Sequence, residues 1–144
     1  MVDTAEYLRK MEQALPHRYP FLMIDQVIEL EPGRRAVAVK AISLDDFFLT
    51  SHLSQDPSLP EVLIVEALAQ TGGIAMLSAK EGGMGMLVRA EEIQFAKTVK
   101  PGDLLALTAE VEFSFGEMAK VRVKAESGGE LVAQGIVVLA QGKR

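Results

Sequence analysis

The chain has 144 residues, of which 49% are hydrophobic and 24% charged, and its formal net charge is -5 at pH 7. This size and balance predict one globular domain spanning residues 1–144. The acidic excess argues against a nucleic-acid-binding protein, and the absence of cysteine excludes disulfides and thiolate chemistry. No apolar run approaches the roughly 20 residues of a membrane span, and residues 1–6 lack the features of a secretory signal. We therefore expect a cytoplasmic protein with no membrane partner.

The first third of the chain predicts a short helix and two strands. Residues 3–14 form an amphipathic pattern that Pro16 ends. Strands are predicted over residues 23–31 and 35–42, joined by a turn that contains Pro and Gly in the order a type II turn prefers. Residues 45–59 show no sustained period, which predicts a loop of the kind that often carries function.

A long apolar helix is predicted from Pro60 to about Lys80. Pro60 suits the first helical position, Glu61 complements the helix dipole, and Gly82-Gly83 provides the stop. Because this helix is apolar on nearly every side, it must be buried on most of them.

The last part of the chain predicts strands with apolar and polar residues in alternation. These strands span residues 86–98, 105–115, 121–125 and 131–140. Their short connections predict antiparallel pairing. About six strands and one buried helix predict an α+β protein in which a long, curved antiparallel sheet wraps one central helix, the hotdog fold. A smaller α+β sheet with the helix lying across it is the alternative.

One carboxylate lies within the apolar helix. Glu66 is followed one turn later, on the same side, by Gln70. Since burial of an unpaired carboxylate is costly, Glu66 is expected to have a raised pKa or a specific partner. The alternative is that these two residues mark the solvated edge of the helix.

The second candidate is His52, in the predicted loop before the helix. It is one of two histidines, so with no cysteine a zinc site is improbable. No Gly-x-Ser-x-Gly motif supports a serine hydrolase, and the glycine-rich segment 82–85 lacks the residues of a phosphate loop. General acid/base chemistry by His52 and Glu66 remains, although a lone loop histidine is often structural or simply exposed.

Several strings of the sequence resemble one enzyme family over about residues 15–140. They are Leu15-Pro16-His17-Arg18-Tyr19-Pro20-Phe21-Leu22 with Ile24-Asp25, Phe47-Phe48 before His52, Val62 to Gln70, and Phe95 with Pro101-Gly102-Asp103. Together they resemble the 3-hydroxyacyl-acyl-carrier-protein dehydratases.

The resemblance implies a mechanism and partners. His52 would remove the C2 proton of a 3-hydroxyacyl thioester, and Glu66 would protonate the departing hydroxyl. The backbone N–H of Glu61 would polarise the thioester carbonyl, with Gln70 and Phe95 also contacting substrate. The partner would be acyl carrier protein, and no metal or cofactor would be needed. The site would lie between the subunits of a homodimer, and three such dimers would form a hexamer. Basic candidates for carrier-protein docking are Arg18, Arg89, Lys97 and Lys100.

The sequence departs from the family pattern at two places. The family loop His-Phe-Pro-Gly is replaced by His52-Leu53-Ser54-Gln55, and Glu61 stands where the family has glycine. These departures leave three alternatives open: a hotdog thioesterase, a dehydratase of a specialised polyketide-type pathway, and a non-catalytic hotdog subunit that binds acyl carrier protein.

Overall fold

A computed structural model describes residues 3, 5–6, 9, 12–13, 15–50, 56–77 and 84–142. Of the described residues within the predicted helix at 3–14, residues 5–6, 9 and 12–13 are helical and residue 3 is not. The further elements are β1 (Gln26–Glu31), β2 (Arg35–Ala41), α1 (Phe47–Thr50), α2 (Glu61–Leu77), β3 (Met84–Phe95), β4 (Leu104–Phe115), β5 (Met118–Ser127) and β6 (Glu130–Gly142). No helix among these residues is both long enough and apolar enough to cross a membrane.

The six strands form one sheet in the order β1-β2-β4-β5-β6-β3, and every neighbouring pair is antiparallel. The two margins of the sheet are therefore β1 and β3. The strand β3 exposes three consecutive apolar side chains, Met86, Leu87 and Val88. The sheet curves around α2, so the predicted hotdog arrangement is confirmed.

The helix α2 packs against five of the six strands, β2 to β6. Twelve of its 17 residues are buried, as its apolar composition requires. Gly72 lets it approach the sheet closely, since a Cβ there would lie 3.0 Å from Cδ1 of Leu139. The helix α2 therefore lies directly against Leu139 of β6 at this position.

The predicted loop at residues 45–59 contains one helical turn, α1. Ser43 and Asp46 form a turn in which the Asp46 carboxylate accepts the Ser43 N–H and the Asp46 carbonyl accepts the Leu49 N–H. Leu49 is buried and holds this turn against the core. A single turn is too short to give a periodic pattern, so sequence alone missed it.

The alternation predicted along residues 105–115 is interrupted in β4. Leu105, Leu107 and Ala109 are fully buried. A bulge between Val111 and Phe113 then shifts the register by one residue. Because a one-residue shift turns the following side chains to the opposite face of the sheet, Phe113 and Phe115 are exposed.

Candidate active site

The helix α2 carries both polar residues singled out within its apolar sequence, Glu66 and Gln70. Gln70 is 1% exposed, which makes it one of the most deeply buried polar side chains described. The Glu66 side chain is one-third exposed. The interpretation of these two residues as a solvated helix edge is therefore wrong for Gln70.

The amide of Gln70 makes three hydrogen bonds. Its Oε1 accepts the backbone N–H of Met23 at 2.9 Å. Its Nε2 donates to the carbonyl oxygen of Phe21 at 2.7 Å and to Oε1 of Glu66 at 2.9 Å. A backbone N–H can only donate, so the Met23 contact fixes which end of the amide is oxygen.

The same contact explains why the first strand starts later than predicted. The Met23 N–H bonds to the side chain of α2 rather than to a neighbouring strand. The strand β1 consequently starts at Gln26, three residues after the predicted start.

The segment before β1 places a histidine on Glu66. Leu15 is buried, and its Cδ2 lies 3.4 Å from where a Cβ on Gly73 would be, so the segment packs directly on α2. Two residues later, Nε2 of His17 lies 2.9 Å from Oε1 of Glu66. His17 and Gln70 therefore both contact the same carboxylate oxygen.

These contacts lower the pKa of Glu66 below its ordinary value. The hydrogen bond from His17 is the largest cause, and the bond from Gln70 acts in the same direction, while burial opposes both. Of the two predicted alternatives for Glu66, a raised pKa or a specific partner, the structure shows the partner, and with it a lowered pKa.

Glu66 faces a small and largely apolar cavity of about 160 Å³. Its lining residues are Leu15, His17, Glu66, Ala69, Gln70, Gly73, Gly85, Leu87 and Leu139. Gly85 and Leu87 come from β3, so the cavity reaches the margin of the sheet. A larger hollow of about 600 Å³ lies over β3 to β6 and includes neither His17 nor Glu66.

The other residues predicted for the site are not brought to this cavity. Glu61 is the first residue of α2, and its side chain is exposed to solvent. Phe95 ends β3, ten residues beyond the cavity-lining Gly85, and is 44% exposed. His52 lies outside the described residues.

His17 is the residue that the prediction of a catalytic pair overlooked. It stands within the family-like string Leu15 to Leu22, but that string gave it no role. Its contact with Glu66 joins residues 49 positions apart, which no local periodicity can indicate. Two features of the sequence could have indicated this contact. The chain has only two histidines, and a half-buried carboxylate such as Glu66 needs a hydrogen-bond donor.

The four basic residues considered for carrier-protein docking all have partners. Arg18 donates to the carbonyl oxygens of Leu15 and His17. Ion pairs join Arg89 to Glu91, Lys97 to Glu130, and Lys100 to Asp56. Arg18 thus braces the segment that carries His17.

Solved structures first define the fold class. The dehydratase heterocomplex ApeI:P from Xenorhabdus doucetiae matches with a TM-score of 0.78 and 19% identity, covering 93% of this chain and 91% of that one. A hypothetical thioesterase protein with coenzyme A from Streptococcus pneumoniae matches with a TM-score of 0.67 and 14% identity, covering 99% of each chain. At these identities the likeness shows the fold alone, which is the hotdog fold.

Sequence comparisons then define the family. The model of the FabA-like domain matches residues 15–136. The 3-hydroxyacyl-[acyl-carrier-protein] dehydratase FabZ of Ruminiclostridium cellulolyticum is 44% identical over 137 residues, covering 94% of this chain and 96% of that protein. The FabZ of a Geobacillus species is 39% identical over 139 residues, covering 95% and 96%. The chain belongs to the FabA-like family.

Proposed function

We propose that this chain dehydrates (3R)-3-hydroxyacyl thioesters of acyl carrier protein to trans-2-enoyl thioesters in the synthesis of fatty acids. The observation that carries the proposal is the held carboxyl group of Glu66 facing an apolar cavity, in a chain 44% identical to a protein named for this reaction. An apolar cavity beside a single acid suits an acyl chain that must lose water.

The reaction is an elimination that needs one base and one acid. His52 takes the C2 proton, which the thioester carbonyl acidifies. The electron pair of the C2–H bond forms the double bond, and the C3–O bond breaks. Glu66 gives its proton to the departing hydroxyl, which leaves as water. Each proton transfer of this kind contributes about 10² to 10⁴ in rate.

The backbone N–H of Glu61 polarises the thioester carbonyl. The first N–H groups of a helix have no partner within it, and the helix dipole favours negative charge there. The position of Glu61 at the start of α2, with its side chain in solvent, supports this role. Gln70 is buried and acts on the substrate through Glu66. Phe95, which lies outside the cavity at the far end of β3, would contact a part of the substrate that extends beyond the cavity.

The active unit is a homodimer joined along β3. An unpaired, apolar sheet margin favours pairing with a second strand, and Met86, Leu87 and Val88 on β3 are each about half exposed. Because Gly85 and Leu87 also line the cavity of Glu66, a second chain at this margin would stand beside the carboxyl group. Three dimers would assemble into the hexamer, which size-exclusion chromatography with light scattering can test.

Acyl carrier protein is the partner that delivers the substrate. We expect the chain to act as one domain over residues 1–144, a prediction that the family match over residues 15–136 supports. The cytoplasmic location also remains a prediction, and cell fractionation tests it.

The deciding experiment follows enoyl-thioester formation by the wild type and by the His52→Ala and Glu66→Gln variants. Each substitution should slow the reaction by about 10² or more, since it removes one proton-transfer group. Glu31→Gln, which changes an exposed carboxylate at the end of β1, is the matched control and should retain the wild-type rate.

Three outcomes contradict the proposal. Equal rates in all variants would exclude the acid/base pair. Release of free thiol without enoyl product would indicate a thioesterase instead. A wild-type protein that binds acyl carrier protein but turns over no 3-hydroxyacyl thioester would be a non-catalytic subunit.

A further inference from the structure

The other histidine of the chain, His17, has a role that rests on the proposed function. We propose that His17 is a positioning residue for Glu66: with Gln70 it holds Oε1 of the carboxyl group, so that Oε2 carries the proton delivered to substrate.

The argument begins with the two oxygens of Glu66. Nε2 of His17 and Nε2 of Gln70 each lie 2.9 Å from Oε1. The Met23 N–H bonds to the amide oxygen of Gln70, so the atom that faces Glu66 is the amide nitrogen, which can only donate. A proton on Oε1 would face that donor directly. The proton of the acid form therefore belongs on Oε2, which has no hydrogen-bond partner among the described residues.

The proton on His17 is located by the same reasoning. Since Nε2 faces an acceptor oxygen, it carries the hydrogen. The other ring nitrogen, Nδ1, is buried and has no hydrogen-bond partner in the described chain. The hydrogen bond between the two side chains therefore runs from Nε2 of His17 to Oε1 of Glu66.

This geometry gives the two histidines, His17 and His52, different proposed roles. A base for the C2 proton needs an accessible ring nitrogen, whereas Nε2 of His17 faces Glu66 and its Nδ1 is buried. His17 is therefore unsuited to be the base and suited to hold the acid. Its backbone is held in turn, because the Arg18 guanidinium donates to the carbonyl oxygens of Leu15 and His17 at 2.9 and 2.7 Å.

The consequence for pH follows from the hydrogen bond. A donor to the carboxylate form stabilises that form, so removing His17 raises the pKa of Glu66. Among the described residues that line the cavity, from the segment before β1 and from α2, β3 and β6, His17 and Glu66 alone are titratable. An acid must be protonated to act, so activity falls as pH rises through the pKa of Glu66, which in the wild type lies below its ordinary value. A raised pKa moves that fall to higher pH.

The test compares His17→Leu with His17→Gln in steady-state assays of enoyl formation across pH. Loss of a hydrogen bond to an ionisable group should lower the maximum of kcat over the pH profile of His17→Leu about tenfold, with KM within about twofold. The alkaline limb of its profile should move to higher pH. The Gln side chain can place an N–H near the position of Nε2, so His17→Gln should recover most of the rate.

Two further measurements separate positioning from mere folding. In a Glu66→Gln background, His17→Leu should cause no additional loss of kcat, because the group that it positions is already gone. If His17→Leu does not fold, His17→Asn replaces it: the shorter amide cannot reach Glu66, so it should be slow where His17→Gln is fast.

The failure of this inference is distinct from failure of the proposed function. A wild-type protein that forms no enoyl thioester refutes the function, and the inference with it. An active wild type whose His17→Leu variant keeps both kcat and pH profile refutes the inference alone. A loss of kcat in His17→Leu that His17→Gln fails to recover also refutes the inference alone.

Discussion

Gln70 donates from its amide nitrogen to Oε1 of Glu66 over 2.9 Å, and the same nitrogen donates to the backbone of the segment that precedes β1. One buried side chain thus sets both the orientation of the carboxyl group and the attachment of that segment to α2. Removing it should affect stability and activity together.

Gln70→Leu is expected to destabilise the fold by about 2–3 kcal/mol, because the buried N–H of Met23 loses its acceptor. Denaturant unfolding measures this change. Gln94→Leu, at an exposed position of β3, is the control and should change the free energy of unfolding by less than about 0.5 kcal/mol. Equal effects of the two substitutions would show that the Gln70 hydrogen bonds do not hold the segment.

The lowered pKa of Glu66 makes part of the stability dependent on pH. A carboxyl group whose folded pKa lies below its unfolded value stabilises the fold above the unfolded value, which is near 4.5. That contribution is lost as pH falls through the folded pKa. Because the side chain is one-third exposed, we expect about 1 kcal/mol or less.

Unfolding of wild type and Glu66→Gln between about pH 3 and 7 measures this dependence. The free energy of unfolding of the wild type minus that of Glu66→Gln should be constant above about pH 5.5 and shrink below about pH 4.5. A difference that grows on acidification would mean that burial outweighs the hydrogen bonds and that the pKa is raised.

The bulge in β4 predicts a contrast between two apolar residues of one strand. Leu107 is fully buried before the bulge, whereas Phe113 is 59% exposed after it. Leu107→Ala should cost about 2–5 kcal/mol, and Phe113→Thr about 1 kcal/mol or less. Thermal or denaturant unfolding compares them. A large cost at Phe113 would mean that another surface covers this face in solution.

Glu61 provides a test of the departure from the family pattern. Because its side chain is exposed at the start of α2, Glu61→Gln should leave the rate of enoyl formation within about threefold of wild type. Loss of the favourable charge at the helix start should lower stability by about 0.3–1 kcal/mol. A large increase in rate would show instead that the carboxylate opposes charge developing in the substrate.

The sequence was sufficient to predict the sheet and the helix that it surrounds. Alternation in residues 105–109 and the apolar run after Pro60 depend on short periods that burial imposes directly. The bulge that exposes Phe113 could not be predicted in this way, since it arises from pairing between strands. The one-turn helix α1 depends on Ser43 and Asp46 side-chain contacts that leave no period at all.

The site was predicted less completely than the fold. Glu66 and Gln70 were found because polar residues are conspicuous in an apolar helix. The contact of His17 with Glu66 was missed, because it depends on how Leu15 packs against α2 over a long separation in sequence. The pairing of His52 with Glu66 remains a prediction, as do the roles of Glu61 and Phe95.

The placement of β3 at the sheet margin has a consequence for experiments at low concentration. Its outward backbone groups have no neighbouring strand within the described chain. If a second copy supplies that neighbour, dilution should reduce turnover per chain and accelerate amide exchange along β3. Protein kept too dilute would then look inactive for a reason unrelated to its catalytic groups.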